Sequence, residues 1–378
     1  MTVTFFSNFL LHHQLPFCDA MYKQLGDGFK FVATSKIPQE RLDLGYKDLS
    51  HEYPYSINSY EDENSLSEAK RLANESDVVI IGAAPQHFFD DRLAKDKLTF
   101  RYTERLFKNG KWRIIDPRVA KSLYCKHTKY RKNKNYYLMC ASAYTAPDCK
   151  FINAYKGKML KWGYFPPIQP MDESAIPTAS NEKTIKLMWV ARFIPLKNPE
   201  YPIRCLKYLL DKNYNVSLDM IGGGELDADL KKLASDLGIS DKVNFKGTMP
   251  TEEVPKQMKT ADVFLFTSNR EEGWGAVLNE SMSSGCAVIA SSEIGSVPFL
   301  MKDRENGLIY NGSFSDLCSK TEQVIADGEL RKNLAKEALQ TVYTEWHPDI
   351  ATKRLIELSE KLMQGKFEPY KSGPCSLA

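Results

Sequence analysis

Three clusters in the second half of the chain have residue types and spacings suited to a phosphorylated ligand. The first is Arg192-Phe193-Ile194-Pro195-Leu196-Lys197, which leaves the apolar run 186–191. Two cations five residues apart on a loop can clamp a diphosphate, the guanidinium as a fork and the ammonium as a point charge. The second is Gly222-Gly223-Gly224, which lets a ligand approach the backbone closely or serves as a plain strand-to-helix turn. A dinucleotide fingerprint would need glycine at 227, where Asp227 stands. The third is the run 270–280, R-E-E-G-W-G-A-V-L-N-E. Gly273 and Gly275 open a helix and offer backbone N–H groups to an anion. Glu272 and Glu280 flank that glycine loop and can accept hydroxyl protons from two parts of one extended ligand. A diphosphate on the amides and hydroxyls on the glutamates together describe a nucleotide sugar.

These loops need a scaffold that brings them to one edge. Strand patterns at 186–191, 216–221, 242–246, 262–267 and 287–290 alternate with helical patterns at 199–212, 226–237, 251–260 and 276–284. Such alternation predicts a parallel sheet covered on both faces. Two further helical patterns follow, at 314–340 and 350–364. The first half repeats the theme less regularly, with strands at 3–7, 29–33, 77–81, 98–101 and 136–140. A proline-rich stretch, 166–170, and an aperiodic polar run to 183 read as a linker. The expectation is an α/β chain of two Rossmann-like, doubly wound domains facing each other across a cleft. Open parallel sheets bind ligands at the carboxyl ends of their strands.

Composition narrows the class. With 378 residues, 43% hydrophobic and 26% charged, the chain is long enough for two globular cores. No run approaches the ~18 apolar residues that span a bilayer, and the first residues lack the basic region and cleavage site of a signal peptide. A soluble, cytoplasmic protein is expected. Eight cysteines without a C-x-x-C pair read as reduced packing thiols. The net charge of +3 conceals an asymmetry: residues 101–134 carry twelve cations against Glu104 and Asp116, a net +10, leaving −7 elsewhere. Either this is a solvated basic helix or it meets a polyanion: phosphates, an anionic membrane or nucleic acid. Trp112, Tyr124, Tyr130, Tyr136 and Tyr137 are interleaved with the cations, a composition suited to a membrane interface as well as to nucleic acid. No nucleic-acid-binding motif accompanies the patch, so nucleic acid is not expected as a partner.

Glu272 and Glu280 in the setting REEGWGAVLNESMSSGCAVIAS have Arg192 and Lys197 upstream. Glu305-Asn306-Gly307-Leu308-Ile309 and Trp346-His347-Pro348 follow downstream. In this order over about 185–345 they resemble the retaining GT-B glycosyltransferases of family 4, the group 1 glycosyl transferases. The resemblance implies a GT-B fold with an acceptor-binding domain at 1–168, a linker at 169–183 and a nucleotide-sugar-binding domain at 184–348. A helix and tail at 349–378 would cross back to the first domain. It implies a catalytic set of Glu272, Arg192, Lys197 and His13, with Arg192 and Lys197 neutralising the departing diphosphate. Glu272 would hold sugar hydroxyls and Glu280 the ribose diol. Gly223, Gly247, Thr248, Gly273, Trp274, Gly275, Ala276 and Val277 would complete the donor site. No metal or other cofactor is implied. Trp274 stands where the family more often has Phe, and 295–299 lacks the family's usual glutamate.

The first domain resembles a bacterial polysaccharide-assembly branch through His12-His13-Gln14-Leu15-Pro16, Arg101-Tyr102-Thr103-Glu104-Arg105 and Lys161-Trp162-Gly163-Tyr164-Phe165-Pro166. His12 or His13 would then bond the sugar or donor phosphate, unless held in a local network. Arg101, Glu104 and Arg105 would contact sugar or acceptor phosphate, or form an interdomain ion-pair cluster. The implied activity is transfer of a hexose or N-acetylhexosamine, with retention, from a nucleotide sugar, expected to be UDP-linked. The acceptor would be a glycan or polyprenyl-diphosphate-linked glycan of a capsule or exopolysaccharide, met by an enzyme peripheral on the inner membrane face. Two alternatives stand beside it. A UDP-sugar epimerase of the same fold would need acid/base carboxylates and histidines in the first half. A non-catalytic nucleotide-sugar-binding subunit is disfavoured by the intact Arg192, Lys197, Glu272 and Glu280.

Overall fold

The computed structural model describes residues 1–43, 46–172, 174, 176–177 and 183–378. Much of the stretch read as a linker, namely 173, 175 and 178–182, lies outside them. The chain divides into two compact units, Met1–Pro167 with Trp346–Ala378, and Ile168–Glu345. Each is built on one parallel sheet with helices between successive strands.

In the first unit the strands are β1 (Val3–Ser7), β2 (Phe29–Ala33), β3 (Ser56–Asn58), β4 (Val78–Ile81), β5 (Thr99–Thr103), β6 (Tyr136–Cys140) and β7 (Met159–Lys161). They pair in the order β3-β2-β1-β4-β5-β6-β7, all parallel. β4 and β6 are buried at every residue and read as unbroken apolar runs; β1 is buried throughout as well, although it carries Thr4 and Ser7. The helix Pro348–Met363 belongs to this unit and packs on the helix Leu15–Leu25. Its buried face is Ala351, Leu355, Leu358 and Leu362, and its N-cap is His347, whose Nδ1 accepts the Asp349 N–H at 3.2 Å. Capping is a role that the sequence pattern did not suggest for that histidine.

In the second unit β8 (Ile185–Val190), β9 (Val216–Ile221), β10 (Val243–Gly247), β11 (Val263–Phe266), β12 (Ala287–Ser291) and β13 (Leu308–Tyr310) pair in the order β10-β9-β8-β11-β12-β13. Alternate residues of neighbouring strands, Leu187 and Trp189, Leu218 and Met220, Val263 and Leu265, and Ile289, form one core on one sheet face. Each such side chain is worth roughly 1.5–3 kcal/mol when fully buried. The predicted helix over 314–340 is two helices, Phe314–Ala326 and Gly328–Thr344. The break is at Asp327, whose carboxylate caps the second helix by accepting the Leu330 N–H at 2.9 Å. All eight cysteines are free thiols and only Cys125 is not buried.

Candidate active site

The second unit's sheet order reverses beside β8: β9 lies on one side of it and β11 on the other. Loops leaving β8 and β11 at their carboxyl ends must therefore diverge, and a switch point of this kind is where open α/β sheets take ligands. Lys197 stands on the β8 loop and Glu272 on the β11 loop, and their side chains form an ion pair in which both are largely buried. The pairing follows from a network that ties the two loops together. Asn198 adopts the left-handed conformation, φ 46°, and its Nδ2 donates to the Thr267 carbonyl at 2.9 Å. The Thr267 hydroxyl donates to the Lys197 carbonyl at 2.7 Å and accepts the Trp189 indole N–H at 2.9 Å. The Asn269 N–H donates to the Leu196 carbonyl at 2.9 Å. Asn198, Thr267, Asn269 and Trp189 were not singled out from sequence. Only the Asn198-Pro199 step, an asparagine able to take positive φ ahead of a helix, hinted at them.

The loop after β11 carries the other donor-site residues. Gly275 has φ +79°, and a Cβ there would lie 2.4 Å from the Phe266 ring and 3.3 Å from Glu272 Cγ, so glycine is obligatory and Glu272 folds back over it. Trp274 is fully buried, with its indole N–H on Asn279 Oδ1 at 2.9 Å and its carbonyl accepting the Ser296 N–H at 3.2 Å. That acceptor is the reason a tryptophan fits this position. The N–H groups of Gly273, Gly275, Ala276 and Val277 find no acceptor among the described residues, a row of donors open to an anion. Glu280 sits in the following helix, Val277–Ser283, and its carboxylate has no partner among the described residues. Burial pushes that carboxyl up to about 7.

Arg192, on the same loop as Lys197, is exposed and has no ion-pair partner among the described residues. Beneath it, Gly222 and Gly224 have positive φ, and a Cβ at either would fall 1.9 Å from the Ala191 carbonyl oxygen or 2.6 Å from that of Phe193. These two glycines are demanded by the crossing of two loops. Gly223 lies between them, where a Cβ would stand 3.3 Å from Thr248 Cγ2. A bulge at Lys246 sets Gly247 at φ +70°, and the Gly247 carbonyl accepts the Gly222 N–H at 2.9 Å. The exits of β8, β9, β10 and β11 thus bring Arg192, Lys197, Gly223, Gly247, Thr248, Glu272–Val277 and Glu280 to one edge of one sheet.

In the first unit, His12 and His13 follow β1, the strand beside that sheet's own order reversal. The two rings meet edge to face at 5.2 Å, and His12 also packs on Tyr46. His13 stacks on Tyr164 at 4.6 Å, and burial, then the charges of His12 and Arg41, push its pKa to about 3, so the imidazole is neutral at physiological pH. The Tyr164 hydroxyl donates to Glu104 Oε1 at 2.6 Å, and Lys108 pairs with the same carboxylate. Sequence reasoning named His13 and Glu104 and missed Tyr164, the ring that joins them. Arg101 does not join this group. Arg101 is a strand residue only 3% exposed, its guanidinium donating to Tyr136 and Gln86, rather than a group at an open strand end. Arg105 lies over the Tyr144 ring at 5.0 Å and near Asp148. Among the described residues no three His, Cys, Asp or Glu side chains converge as metal ligands.

Two Rossmann-like domains with loops of this kind at their strand ends define the GT-B fold. Residues 171–341 match the family described as glycosyl transferases group 1. Among curated proteins the chain is similar to the lipopolysaccharide core biosynthesis glycosyltransferase LpsE of Rhizobium meliloti, 33% identical over 144 residues, 38% of this chain and 41% of that one. It is also similar to the GDP-mannose-dependent alpha-(1-6)-phosphatidylinositol monomannoside mannosyltransferase of Mycobacterium tuberculosis, 26% identical over 175 residues, 44% of this chain and 45% of the relative. The matched stretch spans less than half the length of these relatives. Among solved structures, Anabaena HepE in complex with UDP superposes with a TM-score of 0.69 at 15% identity, over 96% of this chain and 100% of HepE. A glycosyltransferase of Rickettsia africae superposes at 0.68 with 14% identity, over 97% and 99%.

Proposed function

We propose that the chain is a glycosyltransferase that moves a hexose or N-acetylhexosamine from a UDP-sugar to a hydroxyl of a glycan or lipid-linked glycan, with retention, in cell-surface polysaccharide synthesis. The observation that carries this reading is the Lys197–Glu272 pair at the β8/β11 reversal, beside four open backbone donors and the partnerless Glu280 carboxylate. An arriving diphosphate competes for the Lys197 ammonium and takes the open amides, with Arg192 as a second cation. Glu272, relieved of its partner, accepts sugar hydroxyls, and Glu280 accepts the ribose diol. The C1–oxygen bond to the diphosphate breaks as the acceptor oxygen attacks C1 on the same face, and the acceptor's proton passes to the departing phosphate oxygen. His13, stacked on Tyr164 in the first unit, is neutral at physiological pH and able to donate or accept a hydrogen bond. No metal enters this scheme. HepE holds UDP on the same fold, whereas the mycobacterial relative takes GDP-mannose.

Calorimetric titration of the full chain with UDP, GDP and ADP tests the reading, repeated with Lys197→Ala and Glu280→Ala. Selective UDP binding weakened by both substitutions is expected. Binding of none of the three, or binding indifferent to both substitutions, would overturn the proposed donor site.

A further inference from the structure

The exposed cations of residues 111–134 have no role in the donor site, and the surface they share is not only charged. Four of the large apolar side chains most exposed among the described residues belong to one patch: Trp112 (70% exposed), Ile115 (80%), Tyr124 (58%) and Phe151 (51%). Trp112 and Ile115 lie in the 3-10 turn Lys111–Ile115, and Tyr124 opens the turn Tyr124–Thr128, both packed on the short helix Pro117–Leu123 between them. Phe151 comes from another element, the end of the helix Thr145–Phe151. The Lys111 ammonium sits over its ring at 4.7 Å, joining it to the patch. Around these side chains Arg113, Lys121 and Lys126 are exposed cations without an ion-pair partner among the described residues. Asp116, the acid of this stretch, caps the helix by accepting the Arg118 N–H at 2.8 Å.

We infer that this patch docks the protein on an anionic phospholipid bilayer, with Trp112 and Ile115 in the headgroup–acyl boundary and the surrounding cations on lipid phosphates. Charge complementarity selects this occupant. An isologous contact with a second copy would set one strongly positive face against another. Nucleic acid would use the cations and the aromatic rings, but a nearly fully exposed isoleucine offers it nothing, whereas an interface gains from burying it. Aromatic and aliphatic tips ringed by lysine and arginine are what an amphipathic surface lying in a membrane plane requires. No helix among the described residues is long and apolar enough to cross a membrane, so the association is with the surface. This inference stands apart from the proposed transfer reaction, since no residue of the patch belongs to the donor site.

Flotation of the full chain with phosphatidylcholine vesicles containing phosphatidylglycerol, and with phosphatidylcholine alone, tests it. The protein should float with the anionic vesicles only. Trp112→Ser with Ile115→Ser should lower the apparent affinity at least tenfold, and Lys121→Glu with Lys126→Glu at least about twentyfold, each cation near such a surface being worth about fivefold. UDP titration of the same variants, unchanged from the parent, separates loss of docking from loss of folding or of the donor site. Absence of flotation with anionic vesicles would overturn the inference. So would flotation indifferent to both double substitutions, or binding of polyuridylate RNA in preference to the vesicles.

Discussion

Two acidic residues in the donor site are in opposite electrostatic conditions, and each can be tested by its amide. Glu272 is held by Lys197, so it masks the cation that a diphosphate needs. Glu272→Gln should therefore bind UDP several-fold more tightly in calorimetry, about fivefold for a pair worth ~1 kcal/mol. The same variant should lose sugar transfer by two orders of magnitude or more, because its hydroxyl acceptor is gone. Glu280 has no partner, and burial lifts its carboxyl from 4.5 to about 7. Below the lower value it is protonated folded or unfolded; above the upper one the folded chain carries a buried charge. Stability is therefore lost as pH rises from about 4.5 to 7, and Glu280→Gln should be relatively more stable at pH 8 by about 1–3 kcal/mol in urea melts. UDP affinity should rise over the same window, as the carboxylate becomes an acceptor, and the rise should vanish in Glu280→Gln.

At the scale of elements, what the sequence made legible follows from how completely each strand is buried. β4 and β6 are continuous apolar runs and β1, β2 and β8 are broken by only one or two polar residues, and all five were read within a residue or two of their bounds. β3 and β13 were not read as strands: each is three residues long, too short for a period, and exists because a neighbour supplies its hydrogen bonds. The donor loops were legible because glycine and charge mark them in sequence. Their positioning network was not, since Thr267 and Asn198 act through ordinary polar groups whose partners lie about seventy residues away. The glycine run carries its own test. Gly222→Ala would drive a methyl into the Ala191 carbonyl, displacing the β8 loop that carries Arg192 and Lys197. A loss of several kcal/mol in stability is expected, against a gain of about 0.5 kcal/mol for Gly→Ala at a site whose φ and surroundings accept alanine. Gly238→Ala is not a neutral control, because it too has positive φ; Gly223→Ala, with ordinary φ, is the milder comparison.

For the whole molecule, the two units differ in how the chain composes them. The second is one continuous segment, Ile168–Glu345, with its own sheet and core. The first needs the helix Pro348–Met363, whose Leu355, Leu358 and Leu362 are buried. At roughly 1.5–3 kcal/mol each, those leucines approach the ~5–15 kcal/mol that holds a whole domain folded. A fragment comprising 168–345 should fold cooperatively and bind UDP if the donor reading is right, whereas 1–167 alone should show a collapsed, dye-binding state by circular dichroism and fluorescence. Supplying the two parts of the first unit together should restore its unfolding transition.

That same division sets an order on synthesis. The ribosome finishes the β1–β7 segment well before it makes the helix that covers part of its surface, and 178 residues of the second unit intervene. At bacterial-like speeds of about 5–20 residues per second, the delay is roughly 10–35 s. For that interval the nascent first unit presents the apolar bed of its missing helix, a surface for a chaperone to hold while the contiguous second unit is already able to fold.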